Sequence, residues 1–210
     1  MEFGVRDVKT VTMREWLVVI GMMVVGCVVR LAFHDLPNFA PISALALFAG
    51  YYLRNWRLAV LVPLGAMSSS DLFLGGYDLR MMGVVYVMLA LPVFLSGWLH
   101  RISSLDSEGI PSRMRSLVAL LSCSLGSSIL FFLVTNFAAW LWFGFYHASL
   151  AGLLNCYMQA LPFFRYTISG DLSFAMVFFG GYAVTLSLIS HRRAEINPGL
   201  LKEAGVSSTS

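Results

Sequence analysis

Six apolar runs, separated by short polar segments, dominate the pattern of hydrophobic and polar positions along the chain. A helix that crosses a bilayer needs roughly 20 mainly apolar residues, and several of these runs meet that requirement. The pattern therefore predicts an all-α, polytopic membrane bundle with six transmembrane helices. They cover residues 16–33, 40–53, 58–74, 83–99, 116–142 and 168–190. The second run is short, whereas the fifth is long enough to tilt or to project beyond the bilayer.

One further apolar segment, residues 148–164, lies between the fifth and sixth predicted helices. Basic residues decide its placement, because Lys and Arg near helix ends favour the cytoplasm. If the segment does not cross, eleven of the 14 Lys and Arg residues lie on one side and three on the other. If it crosses, the ratio falls to nine against five. We therefore expect six crossings with both termini in the cytoplasm. Residues 148–164 then form an outer-side helix ending near Pro162, which could be interfacial, re-entrant or a gate.

The two sets of basic residues follow from this topology. The cytoplasmic set is Arg6, Lys9, Arg14, Arg54, Arg57, Arg101, Arg113, Arg115, Arg192, Arg193 and Lys202, and the outer set is Arg30, Arg80 and Arg165.

Composition agrees with a membrane protein. The chain is 58% hydrophobic and 12% charged, whereas soluble domains carry about 25% charged residues.

Residues 1–15 lack the pattern of a cleaved signal peptide, so we expect them to form a cytoplasmic N-terminal segment. The membrane domain would cover residues 16–190, and residues 191–210 would form a disordered cytoplasmic tail. The net charge is +3, but the basic residues are scattered over loop ends and do not indicate nucleic-acid binding.

Catalytic and metal-binding motifs are not found in the sequence. It contains no phosphate-binding loop, nucleophile elbow, zinc-protease motif or paired CxxC. Cys27, Cys123 and Cys156 are isolated and are typical of small buried hydrophobic positions. We therefore expect no enzymatic activity, no cofactor and no metal.

Three ionisable side chains lie within predicted helices, near their outer ends: Arg30, Asp71 and Asp171. Such groups are costly inside a membrane and are candidates for function. Each also has a structural interpretation. Arg30 could be an interfacial anchor and Asp71 part of a structural ion pair. Asp171 follows Ser169-Gly170 at the predicted start of the last helix, so it could cap that helix.

Further polar and aromatic residues gather on the same side. Arg165 could pair with Asp171 or bind an anionic ligand, and Asn136 needs a hydrogen-bonding partner within an apolar run. The aromatic cluster around Trp140 is typical of an interfacial belt, with a stacking wall for a ring-shaped ligand as the alternative. The small-residue spacing of Ala46 and Gly50 indicates close helix packing within the bundle or a partner-binding face.

The chain resembles an uncharacterised family of bacterial membrane proteins over most of residues 30–185. The resemblance rests on residues 36–50, which read LPNFAPISALALFAG, and on four further stretches. These are Val62-Pro63-Leu64, Ser70-Asp71-Leu72, Leu161-Pro162-Phe163-Phe164-Arg165 and Gly170-Asp171-Leu172. The resemblance implies the bacterial inner membrane as the location.

That family in turn is similar to the substrate-binding S components of energy-coupling-factor (ECF) transporters. The likeness rests on six spans, the Phe39-Ala40-Pro41 entry to the second helix, the Ser-Asp-Leu ending of the third and the Leu-Pro-Phe…Gly-Asp entry to the last. It implies a ligand bound on the outer side under the first outer loop. It also implies a transmembrane coupling subunit with ATPases as the partner. One departure is the missing Ala-x-x-x-Ala motif on the first helix, where Gly21 and Gly26 are five apart.

Carried over by position, this second likeness implies a set of ligand-binding candidates. Asn38 and Phe39 would belong to a lid, and the pocket candidates are Asp71, Asn136, Trp140, Arg165 and Asp171. The leading hypothesis is a substrate-binding membrane subunit for uptake of a small, vitamin-like nutrient. The alternative is a non-catalytic membrane scaffold or assembly protein.

Overall fold

The computed structural model describes residues 11–36, 39, 41–53, 55–102 and 110–196, and these residues form helices and connecting turns without any β-strand. In chain order the helices are α1 (Met13–Ala32), α2 (Ile42–Leu53), α3 (Trp56–Leu74), α4 (Leu79–Ala90), α5 (Pro92–Ile102), α6 (Ile110–Phe143) and α7 (Leu150–Ile196). The predicted all-α class is confirmed. The predicted N-terminal segment up to residue 10, and the tail from residue 197, lie outside the described residues.

Five helical segments among the described residues are long and apolar enough to cross a membrane. They are α1, α3, the nearly continuous α4–α5 pair between Leu79 and Leu99, α6 and most of α7. The sixth apolar helix, α2, has only 12 residues and is about 18 Å long at 1.5 Å per residue. The structure therefore supports a membrane protein built from apolar helices.

The prediction of a separate outer-side helix was wrong. Residues 150–164 continue without a break into the last helix, so that α7 is 47 residues long and contains Pro162 in its interior. A proline inside a helix removes one backbone hydrogen bond, and helices often end before one. In an apolar environment, however, a chain that leaves the helix would expose several unpaired backbone groups, and a single missing bond is the smaller loss.

Contacts between side chains give the direction of each helix. Arg30 near the end of α1 meets Asp71 near the end of α3, so these helices run parallel. Helix α7 runs antiparallel to α6, because Ser128 contacts Asp171 while Tyr157 contacts Leu133. We call the end of the bundle where α1, α3 and α6 end, and where α2, α4 and α7 begin, the distal end.

The short helix α2 lies at the centre of the bundle. Ten of its 12 residues are buried, and it packs against α1, α3, α5 and α7. Small side chains permit this close packing, since Ala46 and Ala49 are fully buried. Aromatic contacts fix the side facing α7, where Phe48 stacks on Phe178 with ring centroids 5.9 Å apart.

Gly50 marks the closest approach of α2 to α5. A Cβ atom at this position would lie 2.7 Å from the backbone oxygen of Val93 and would clash with the hydroxyl of Ser96. The small-residue spacing that includes Gly50 therefore serves packing inside the bundle. By contrast, a Cβ atom at Gly97 on α5 would meet no atom within 4 Å.

We predict that Gly50→Ala lowers the free energy of unfolding by about 1–3 kcal/mol, the usual effect of overpacking. Gly97→Ala is the matched control, and it should stabilise the protein slightly because Ala is the better helix former. Thermal unfolding of the detergent-solubilised protein, followed by tryptophan fluorescence, measures both effects. Equal melting temperatures for the two variants would contradict the close α2–α5 contact.

Candidate ligand-binding site

A cavity of about 400 Å³ lies at the distal end of the bundle. Its deep wall contains the buried residues Ile42, Met67 and Asp171, and its mouth contains the exposed residues Leu74 and Tyr77. The cavity therefore connects the protein surface with the interior, above the first residue of the short helix α2. Its lining is mostly apolar, with a few polar groups.

Arg30 lines one side of this cavity and forms an ion pair with Asp71, which is not itself part of the lining. Nη1 of Arg30 lies 2.6 Å from Oδ1 of Asp71 and also donates to the hydroxyl of Ser70. The hydroxyl of Tyr86 donates to the other carboxylate oxygen at 2.7 Å. These contacts join α1, α3 and α4. The pair is shielded from solvent, because the side chains of Arg30 and Asp71 are 19% and 6% exposed.

The sequence explains why the two charges meet. Each residue lies in the last turn of its helix, and α1 and α3 run parallel, so the two turns stand at the same level. A cation at a helix C-terminus is stabilised by the helix dipole, which favours Arg30. Asp71 has no such help and depends on Arg30 and Tyr86. Of its two interpretations, the structural ion pair is present, and the same pair reaches the cavity through Arg30.

Tyr77 stands near this pair in the connection between α3 and α4. Burial raises the pKa of its phenol, and the negative charge of Asp71 raises it further, while Arg30 acts in the opposite direction. The phenol therefore stays protonated and can donate a hydrogen bond at the mouth of the cavity.

Asp171 is the second acidic group of the site, and the prediction that it caps a helix was wrong. It lies 21 residues after the start of α7 and is only 3% exposed. Its Oδ2 accepts a 2.7 Å hydrogen bond from Ser128 on α6, and the hydroxyl of Ser43 on α2 lies near the carboxylate. Among the described residues, no cation lies within ion-pair distance of it. The capping prediction assumed that the last helix begins at residue 168, whereas α7 begins at Leu150.

Aromatic rings form another wall. The rings of Phe33 and Phe39 both line the cavity, with centroids 5.4 Å apart in an edge-to-face arrangement. Phe174 on α7 supports Phe39 from behind at 5.5 Å. Phe39 was predicted to belong to a lid, and it does contribute to the cavity. Its predicted neighbour Asn38 lies outside the described residues.

Three of the predicted pocket residues lie elsewhere. Asn136 donates to the backbone oxygen of Phe132 at 2.8 Å and borders a separate cavity of about 90 Å³. Trp140 donates to the backbone oxygen of His147 at the tip of the α6–α7 hairpin. Arg165 is exposed and stacks over Tyr166, with 4.8 Å between the guanidinium carbon and the ring centroid.

The length of the α6–α7 hairpin explains why these three residues lie outside the main cavity. Both helices of the α6–α7 hairpin continue past the level of the cavity, and α6 extends 12 residues beyond Phe131, which lines the cavity. Residues of this hairpin extension therefore do not converge on the main cavity. The expected pairing of Arg165 with Asp171 fails because the two residues point to different sides of α7, as a separation of six residues dictates.

The candidate set of the sequence analysis omitted several cavity residues. Arg30 carried the clearest signal, since a charge inside an apolar helix is costly, yet it was left out of that set. Tyr77, Thr167 and Phe131 carried no pattern that distinguishes them from ordinary membrane-helix residues. The assembled site offers an ion pair, a buried carboxyl group, hydroxyl groups and aromatic walls, a combination suited to holding a small organic molecule.

Residues 10–194 match the model of a family of unknown function, DUF6580, and the chain belongs to this family. The chain has no significant match among curated proteins or among solved structures. The predicted membership of an uncharacterised family is confirmed in this form.

We predict that Arg30→Gln and Asp71→Asn each lower the free energy of unfolding by about 3 kcal/mol, because each leaves a shielded charge without its partner. The double variant should lose clearly less than the sum of the two single losses. Denaturation in mixed micelles measures all three variants.

The exposed pair of His34 and Asp35, whose nitrogen and oxygen lie 3.2 Å apart, provides the control cycle. His34→Gln and Asp35→Asn should be additive, since exposed pairs contribute little. Additive losses for Arg30 and Asp71 as well would show that their pairing does not stabilise the bundle.

Proposed function

We propose that this member of the DUF6580 family is a non-catalytic, substrate-binding membrane subunit for uptake of a small, vitamin-like nutrient, similar to the S components of ECF transporters. The observation that carries the proposal is the cavity at the distal end. Its apolar and aromatic walls, interrupted by a few polar groups that can orient a ligand, have the composition usual for small-molecule sites.

The size of the cavity supports the same class of ligand. Its volume of about 400 Å³ lies within the range of roughly 300–1,000 Å³ common for such pockets. At roughly 30 Å³ for each water molecule, the space corresponds to about 13 waters. A compact metabolite of vitamin size fits this volume, whereas a peptide or a second helix does not.

We further infer that the distal end faces the outside of the bacterial inner membrane. Six crossings, with α2 as the short second and α4–α5 as the fourth, bring both termini to the other end. Eleven of the 14 Lys and Arg residues then lie in the cytoplasm. A 12-residue helix is acceptable at membrane depth because protein surrounds it.

A transmembrane coupling subunit with ATPases is the partner that the ECF likeness suggests. Helix α1 has a face available for such contact, since Leu17, Val24 and Val28 are more than half exposed. Gly21 lies between them, and a Cβ atom there would meet no atom within 4 Å. Lipid alone could cover this face equally well, so proteins that purify with the chain decide between the two.

The alternative function, a membrane scaffold, is favoured by one observation. Near the tip of the α6–α7 hairpin, the α7 residues Leu150, Leu154 and Met158 are 73%, 57% and 65% exposed. Their four-residue spacing puts them on one side of the helix. A stable, stoichiometric partner bound to this side, together with an empty cavity, would favour the scaffold over the uptake subunit.

We predict that the chain, purified gently from its native membrane, carries one enriched metabolite that mass spectrometry identifies. Val85→Trp adds bulk inside the cavity, which Val85 lines, and should abolish retention of this metabolite. Val87→Trp is the matched control, because Val87 lies on the same helix and is 61% exposed. It should retain the metabolite.

Both variants should keep the melting temperature of the wild-type chain, so that loss of the metabolite reports on the cavity. Absence of any enriched metabolite from the wild-type chain, or equal retention by a folded Val85→Trp variant, would contradict the proposed function.

A further inference from the structure

We propose that the cavity binds an organic cation whose protonated amine pairs with Asp171. This inference rests on the proposed function and specifies the chemical class of the ligand. It follows from the distribution of charge around the cavity, from the surroundings of Asp171 and from the aromatic wall.

When Asp171 is ionised, the charges around the cavity do not balance. Arg30 contributes one positive charge, but it is already paired with Asp71 at 2.6 Å. His34 also lines the cavity, and its ring faces Asp35 in an exposed contact. Asp171 is then the one carboxylate of the described lining that lacks a cationic partner. A ligand with a positive charge would complete the balance, whereas an anionic ligand would have to compete with Asp71 for Arg30.

The surroundings of Asp171 prepare it to accept hydrogen bonds. Ser128 donates to it. Ser43 lies near it and is the second residue of α2, so the carboxylate lies beside the positive end of that helix dipole. These contacts hold the carboxylate in place. Two carboxylate oxygens offer about four acceptor positions, so acceptor capacity remains for a donor on the ligand.

The cost of burying the charged carboxylate of Asp171 explains why a cationic ligand would bind here. A buried carboxylate without a cation has lost most of its hydration, and the hydroxyl of Ser128 replaces only part of it. An ammonium group brought into the cavity restores an opposite charge in surroundings where water screens it poorly. Polar neutral ligands supply only hydrogen bonds to the same oxygens.

The aromatic wall specifies the rest of the molecule. Phe33 and Phe39 present ring faces and edges to the cavity, and rings of this kind attract both apolar groups and nearby cations. The preferred ligand is therefore a primary or secondary amine attached to a compact aromatic or branched apolar group.

The test uses three probes of similar size and different charge: 2-phenylethylammonium, 2-phenylethanol and 3-phenylpropionate. Calorimetric titration of the full-length chain in detergent micelles gives the affinity of each. We expect the ammonium probe to bind about tenfold or more tightly than the alcohol, and the carboxylate probe to bind most weakly. This comparison on the wild-type chain tests the charge requirement without any substitution.

Asp171→Asn tests the residue itself. It keeps the shape of the side chain and an oxygen that can accept from Ser128, but it removes the charge. It should reduce the affinity for the ammonium probe to that for the alcohol. Asp78→Asn is the matched control, because Asp78 caps α4 with its side chain and asparagine caps a helix equally well. This variant should keep the full preference for the cation.

The outcomes separate this inference from the proposed function. Equal binding of the ammonium and alcohol probes, or a preference for the cation that survives in a folded Asp171→Asn variant, would overturn the inference while small-molecule binding stands. Failure of all three probes to bind the wild-type chain at concentrations up to about 10 mM would overturn the inference, while retention of a metabolite by the purified chain tests the proposed function separately.

Discussion

The ion pair between Arg30 and Asp71 is the interaction on which the distal half of the protein depends. Separated charges are costly in an apolar bundle, and the pairing of these two therefore favours an arrangement with the ends of α1 and α3 at one level. The hydroxyl of Tyr86 adds α4 to the same cluster. The resulting frame holds one wall of the cavity open, since side chains committed to each other are not free to collapse into the space beside them.

The short length of α2 explains why the bundle contains a cavity. Helix α2 is about 18 Å long, whereas the apolar part of a bilayer is about 30 Å thick. Because α2 is shorter than α1, α3, α7 and the combined α4–α5 pair around it, room is left above its first residue, where the cavity lies. Asp171 projects into this room from α7. Packing along α2, including the contact at Gly50, thus fixes the inner end of the cavity. The ion pair fixes the wall that contains Arg30.

Sequence patterns predicted some of these features for physical reasons. Apolar runs identified the membrane helices, because a bilayer demands long stretches without charge, and the same demand singled out Arg30, Asp71 and Asp171. The patterns did not reveal that α7 continues through Pro162, since the outcome depends on how its backbone is surrounded. That error began the last helix too late. It also made Asp171 a capping residue. The likeness to S components placed Asn136, Trp140 and Arg165 among the cavity residues, and no sequence pattern shows that α6 and α7 extend past the cavity.

The central claim is that the cavity between the Arg30–Asp71 pair and Asp171 holds a small organic molecule. An electron-microscopy map of the chain, purified from its native membrane and resolved to side-chain detail, tests it most directly. We expect compact density inside the cavity, against Phe39 and within hydrogen-bonding distance of Asp171. A cavity closed by its own side chains, or filled by a lipid chain entering between helices, would show that this cavity is not a ligand site.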